Sequence, residues 1–210
     1  MRRSSVVSSD VDHRQLIHDL EQIAFHEAKN GLRQFDEMLH LVRESGWQLA
    51  LSSQLICQLQ KIAVDGVWSS AGKLRNFPVG IRNTQHVPPN HTEVPHLVNE
   101  MCEYANSHAD QPFHVSAYLM WRLNWIHPFG DGNGRTSRVV SYMALSISLG
   151  MELPGSPTIP DLIVKQKEPY YRALDSADAM WLQGKLDVGK MEQLITELLQ
   201  IQLSSLSDAS

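Results

Sequence analysis

Cysteine is scarce in this chain: Cys57 and Cys102 lie far apart, each within an apolar helical pattern. That excludes a disulfide scaffold and points to a reducing, cytoplasmic compartment. No run of about 18 apolar residues occurs, so no membrane span is expected. The opening stretch, with Arg2 and Arg3 before Ser4 and Ser5, is basic but has no long apolar core. It is read as a disordered start over residues 1–12 rather than a Sec signal peptide. Positive charge is not in excess either. The chain has 18 Lys and Arg against 23 Asp and Glu, a net charge of −5. That balance argues against a general nucleic-acid or membrane-surface binder. What is present is a globular composition of 210 residues, 42% apolar and 20% charged, enough to bury a sizeable core.

Helical periodicity runs through most of it. Leu16, Leu20, Ile23 and Ala24 form one stripe, ended by Asn30-Gly31. Leu32, Phe35, Leu39 and Val42 form a second, closed by Ser45-Gly46. Ser52 or Ser53 can cap a third helix carrying Leu55, Ile56, Leu59, Ile62 and Ala63. The pattern breaks from Ser69 to Asn90, where apolar positions alternate from Leu74 to Ile81 around Pro78 and Gly80. A central strand would not hold that proline, so an exposed β-hairpin flap is expected. Thr92 opens the next helix. Pro112 to Ile126 is apolar on nearly every side, the mark of a central buried helix, and it must stop before His127-Pro128. Val139, Val140, Met143, Ala144 and Ile147 mark another core helix closed by Gly150, and the tail continues helical through Tyr171, Leu174, Leu194, Ile195, Leu198 and Leu199. The fold class is therefore all-α, a helical bundle with one small β-hairpin. N-terminal helices over 13–50, with a candidate regulatory role, precede a core over 51–203 and a tail over 204–210.

Chemistry concentrates between two buried helices, from His127 to Arg138. Gly130, Gly132 and Gly134 let backbone N–H groups converge where a helix begins, and a helix N-terminus carries free donors and partial positive charge. Such a turn cradles phosphate. Arg135 and Arg138, three apart, share one helix face and suit a polyphosphate. Asp131 places a carboxylate beside the cradle, where it can hold Mg²⁺ together with phosphate oxygens and water. His127 is the side chain suited to take a proton from a hydroxyl near neutral pH. Base, metal ligand, anion nest and arginines together describe nucleotide phosphate-bond chemistry.

The stretch His127-Pro128-Phe129-Gly130-Asp131-Gly132-Asn133-Gly134-Arg135-Thr136-Ser137-Arg138 resembles the signature of the Fic family, His-Pro-Phe-x-Asp/Glu-Gly-Asn-Gly-Arg-x-x-Arg, at every specified position. Gly72-Lys73-Leu74-Arg75, Val79-Gly80-Ile81 and Pro88-Pro89 resemble the family's flap and the helix start after it, and Tyr170-Tyr171-Arg172-Ala173-Leu174 the helix after its core. About residues 25–200 follow the pattern. The resemblance implies a Fic-type bundle and a protein adenylyltransferase, moving AMP from ATP to a Ser, Thr or Tyr hydroxyl of a target protein. His127 would be the base. Phe129 would anchor the loop, and Asp131 would hold Mg²⁺. Gly132, Asn133 and Gly134 would bind phosphate oxygens, Asn133 with its side chain as well. Arg135 would face the β-phosphate and Arg138 the γ-phosphate. The flap residues Leu74, Phe77, Val79 and Ile81 would receive the target by strand addition. Doc-like members, which phosphorylate instead, carry Lys where this chain has Gly134. Met120 stands where many members carry His.

Many members also carry an inhibitory Glu that pairs with the second motif arginine. Ser148 lies four residues before Glu152, but Leu153 follows, and Glu152 is read as structural. Glu27 continues the Leu16–Ala24 stripe by one step, so it is expected to face inward and reach Arg138 as an intramolecular inhibitor. An antitoxin partner and a homo-oligomer are both compatible with the sequence. The alternatives to AMP transfer are related Fic chemistry, with another donor or with removal of AMP, and a non-catalytic nucleotide-binding module. His86, His91 and His96, at five-residue steps, match no zinc spacing. The five tryptophans are read as core.

Overall fold

A computed structural model describes residues 13–81 and 84–206. Among these residues lie eight helices: α1 (Leu20–Glu44), α2 (Ser53–Ala63), α3 (Val94–Ser107), α4 (Pro112–Ile126), α5 (Asn133–Leu149), α6 (Ile159–Lys165), α7 (Lys167–Trp181) and α8 (Gly189–Ser204). The disordered start expected over 1–12 and the last residues of the tail lie outside the described residues.

Local sequence sets the helix ends. Asp19 caps α1 by accepting from the Gln22 N–H at 2.8 Å, and Ser52 caps α2 by accepting from Leu55 N–H at 3.2 Å. Thr158 and Asp161 form a capping box on α6, an element the periodicity did not reveal. The apolar-all-round helix is the hub: α4 packs against α3, α5, α7 and α8, most extensively α5. At the α4–α5 crossing, Ser116 and Ser141 each donate a hydroxyl to the other's backbone carbonyl, at 3.1 and 2.8 Å. Small side chains there let the backbones approach closely. Trp121, Leu119, Leu123, Ile126, Tyr142 and Met143 fill the core around them. None of the helices is long and apolar enough to cross a membrane.

Three expectations are corrected. The N-terminal region holds one helix rather than two. Asn30-Gly31 lies inside α1 because the buried Asn30 amide donates to Asp65 O at 2.8 Å, and Gln34 four residues on donates to Leu59 O at 3.0 Å. These tertiary bonds offset the roughly 1 kcal/mol that a mid-helix glycine costs. The inward face of α1 is accordingly Asn30, Gln34, Met38 and Val42, while Leu16, Leu20 and Ala24 are exposed. The flap forms no hairpin among the described residues. Residues 74–81 are irregular, and among the described residues the only bridge is the isolated Gln15–Trp68 pair. Pro78 has no N–H to give a ladder, and Arg75 N–H donates to Pro128 O at 2.8 Å, across to the motif loop rather than across the flap. The helix expected from Thr92 begins at Val94, because Thr92 is held in a turn by Asn90 Oδ1.

Candidate active site

The loop between α4 and α5 is shaped by its own residues. His127 leaves α4 in the left-handed region (φ 50°, ψ 58°); Pro128 disfavours helical backbone before it and so ends α4 there. Phe129 is fully buried and fixes the turn in the core. Asn133, also buried, staples the loop shut: its Oδ1 accepts from Phe129 N–H at 3.0 Å and its Nδ2 donates to Phe129 O at 2.9 Å. Its amide, expected on a phosphate, is here engaged with the loop backbone. Gly132 opens α5 at φ 79°, and a Cβ there would stand 2.8 Å from Val64 Cγ1. With no side chain capping α5, its first N–H groups face outward from the loop, the arrangement that favours an anion.

Two buried side chains tie this loop to the base of the flap. Gln60 donates to Asp131 O at 2.9 Å and accepts from Gly72 N–H at 2.6 Å. Arg75, 2% exposed, donates to His127 O at 2.7 Å, Pro89 O at 2.7 Å, Phe77 O at 3.1 Å and Ile126 O at 3.2 Å. Burial lowers its pKa.

The His127 imidazole lies at a cavity of about 570 Å³ whose lining includes Ile81, Asn124, Gly134, Arg138 and Tyr170. His127 Nδ1 is 3.3 Å from Asn124 O, a carbonyl that can only accept. Nδ1 therefore carries the proton and Nε2 keeps its lone pair. Burial pushes the imidazole pKa down to about 4, only partly offset by the Asn124 carbonyl; the Arg75 charge adds to the fall. Asn124 Nδ2 also donates to Ser137 Oγ at 2.8 Å and to the Tyr170 hydroxyl at 2.9 Å. Arg138 is lowered in pKa by burial, and the Tyr170 hydroxyl beside it partly offsets the fall. Among the described residues no carboxylate stands within ion-pair distance of it. The far end of the cavity carries His86, Trp121, Trp125 and Asp178. His86 Nε2 is 2.8 Å from Trp125 O, and Asp178 accepts the Trp121 indole N–H at 2.7 Å; burial raises the Asp178 pKa. Trp121 and Trp125 thus belong to the core and the cavity wall together, whereas Trp47 is exposed.

Arg135 is placed differently from Arg138. Its Nη2 meets Asp131 Oδ2 at 2.8 Å and its Nη1 meets Glu27 Oε1 at 3.2 Å. The expected Glu27–Arg138 pair is thereby corrected: Glu27 lies on the side of α1 that faces the outer arginine of α5, and Arg138 turns the other way, into the cavity. Asp131 is partly exposed at the rim, with one oxygen on Arg135. Among the described residues no group of three or more His, Cys, Asp or Glu gathers that could hold a metal ion. A divalent ion taken by Asp131 would have one protein oxygen and draw its others from phosphate and water, which suits Mg²⁺.

The structure thus brings His127, Gly134, Arg138 and Ile81 to one cavity, with Gly132 and Asn133 in the wall behind and Asp131 and Arg135 on the outer rim. Phe77 stacks on the His13 ring at 5.1 Å, Leu74 packs on the core, and Val79 is half-buried on the flap. Arg75, Gln60, Asn124 and Tyr170 were not singled out as site residues. Arg75 stood in the sequence as part of the flap resemblance, but charge patterning gives no sign that a cation will be buried.

Residues 50–145 match the model of the Fic/DOC family. A Fido domain-containing protein of Dictyostelium discoideum is 32% identical over 89 residues, covering 42% of this chain and 57% of that protein. A protein adenylyltransferase Fic of Aedes aegypti is 36% identical over 97 residues, 44% of this chain and 18% of that protein. The chain therefore spans just over half of one relative and under a fifth of the other. The crystal structure of a Fic family protein from Desulfovibrio desulfuricans G20 superposes with a TM-score of 0.69 over 93% of this chain and 57% of that one, at 21% identity; at that identity it shows the shared fold. Residues 50–145, which include the motif loop, are thus similar to the Fic/DOC family, and the whole chain shares the all-helical fold of the solved Fic structure.

Proposed function

We propose that the protein is an adenylyltransferase that moves AMP from ATP to a Ser, Thr or Tyr hydroxyl of a target protein. The observation that carries this reading is the His127 imidazole: its proton is on Nδ1, and the lone pair of Nε2 is free at a cavity shared with the start of α5 and an arginine with no carboxylate partner among the described residues. The cavity volume of about 570 Å³ falls in the range of small-molecule sites.

His127 Nε2 takes the proton of the acceptor hydroxyl as its oxygen attacks the α-phosphorus. The new O–P bond forms in line with the breaking bond to the bridging oxygen, and pyrophosphate leaves with that electron pair. N–H groups of the first α5 turn and the Arg138 guanidinium bind phosphate oxygens, and positioning with electrostatics supplies most of the rate. Mg²⁺, when bound, neutralises charge on the phosphates, and Asp131 is the residue that would hold it. Gly134 in place of lysine supports AMP transfer over phosphate transfer. The flap from Leu74 to Ile81 offers irregular backbone for target pairing. The test is incubation with labelled ATP and Mg²⁺ in a lysate. Label from α-³²P-ATP on protein, absent from γ-³²P-ATP and lost in His127→Ala with ATP binding retained, is the expected result. Label from γ-³²P-ATP alone would overturn it.

A further inference from the structure

Arg75 is a buried cation with an unusual set of partners. Its side chain is satisfied by four backbone carbonyls, and among the described residues no carboxylate stands within ion-pair distance. Burying a charge without a counter-charge is costly, and an apolar side chain would fill the space at less cost. The compensation comes from the C-terminal end of α4, where Ile126 and His127 present carbonyls with partial negative charge. What that arrangement secures is geometry. A left-handed backbone costs a residue with a Cβ roughly 1–2 kcal/mol, and His127 adopts it. Pro128 disfavours helix at His127 and by itself favours extended backbone; it is in the left-handed turn that the His127 and Ile126 carbonyls meet the planar fork of Arg75.

We propose that Arg75 is a positioning residue: it holds His127 in the left-handed turn that sends the imidazole into the cavity, and it ties the flap and the segment that follows it to the same point. Phe77 O, within the flap, and Pro89 O, in the segment after it, are both held by this one guanidinium. A target laid on the flap is thereby referenced to the base that must reach its hydroxyl. Lysine, a point donor on a flexible stem, cannot hold four carbonyls at once. The proposal rests on His127 being the base. The charged groups that bear on its imidazole are Arg75 from the flap base, His86 from the flap's return and Asp131 from the loop.

The test uses the whole chain, with imidazole NMR titration of His127 in wild type, Arg75→Lys and Arg75→Met. It is run beside steady-state AMP transfer and binding of a fluorescent ATP analogue. In wild type a single Nδ1–H tautomer titrating near 4 is expected. In both variants the tautomers mix and the titration moves upward. Analogue affinity stays within about threefold while kcat falls about 100-fold, the scale of a 1 Å misplacement. An unchanged tautomer and titration in folded variants would overturn the proposal, as would analogue affinity falling in step with kcat. If wild type transfers no AMP, the functional reading fails alone, and the imidazole titrations still decide the role of Arg75. If neither variant folds, wild type decides. A single tautomer with exchange-protected Arg75 N–H protons upholds the proposal, and mixed tautomers overturn it.

Discussion

His127 combines two properties that pull against each other. Its Nε2 is free to accept a proton, but burial has pushed its pKa to about 4, which makes it a weak base. On the proposed function, a triphosphate would bring negative charge beside it, and negative charge favours the protonated imidazole. The acid limb of kcat/KM, which reports the free enzyme, is therefore expected near pH 4, and the acid limb of kcat at higher pH. Coincident limbs in pH–rate profiles would contradict this. The same shift sets a stability trend. The unfolded chain takes up the proton near the ordinary value of 6.5, the folded chain only near 4, so His127 contributes a loss of stability as pH falls between them. Gly132 is the other residue whose identity matters locally. Gly132→Ala adds left-handed strain and a Cβ against Val64. About 1–2 kcal/mol of strain lowers Tm by roughly 2–8 °C in a chain of this size, and thermal unfolding measures it.

At the scale of elements, α1 reaches the motif through Glu27, and its partner determines what it can do. On Arg138 it would obstruct the cavity. On Arg135, already paired with Asp131, it adds a second, partly exposed carboxylate to one largely buried guanidinium. Such pairs contribute about 0–1 kcal/mol. Glu27→Gln is thus expected to raise ATP affinity no more than about fivefold. Calorimetric titration checks this; a change of two orders of magnitude would mean that Glu27 controls the phosphate site itself. The flap makes the same point. Its alternating apolar pattern suggested a hairpin, yet its buried bonds run to the α4–α5 loop. Alternation specifies a strand only when a neighbour supplies the ladder.

For the whole molecule, the family match begins at residue 50, but the core begins earlier. Met38 and Val42 of α1 are fully buried, and Asn30 and Gln34 bond to the backbone around α2. Removing residues 13–49 is therefore expected to lower Tm sharply and expose apolar surface, rather than yield a deregulated enzyme. Thermal unfolding with dye binding distinguishes the two, and a truncated chain with wild-type Tm would refute the expectation.

Much of this could be read without coordinates. The apolar-all-round run at 112–126, the stop before His127-Pro128, the glycine-rich turn and the helix closed by Gly150 are local matters of periodicity, proline sterics and glycine freedom, which sequence carries directly. Which cation points where is not local. Arg135 and Arg138 look equivalent on one helix face, and only the packing of α1 on one side and the Tyr170 side chain on the other separate the first, on carboxylates at the rim, from the second, in the cavity. The burial of Arg75, the staple made by Asn133 and the protonated nitrogen of His127 depend on carbonyls supplied by elements distant in the chain or closed by the turn itself. Sequence determined the core helices and the composition of the turn between them. Tertiary contact decided each polar group's partner, because a hydrogen bond in the interior is directional and must be met by a neighbour brought there by the fold.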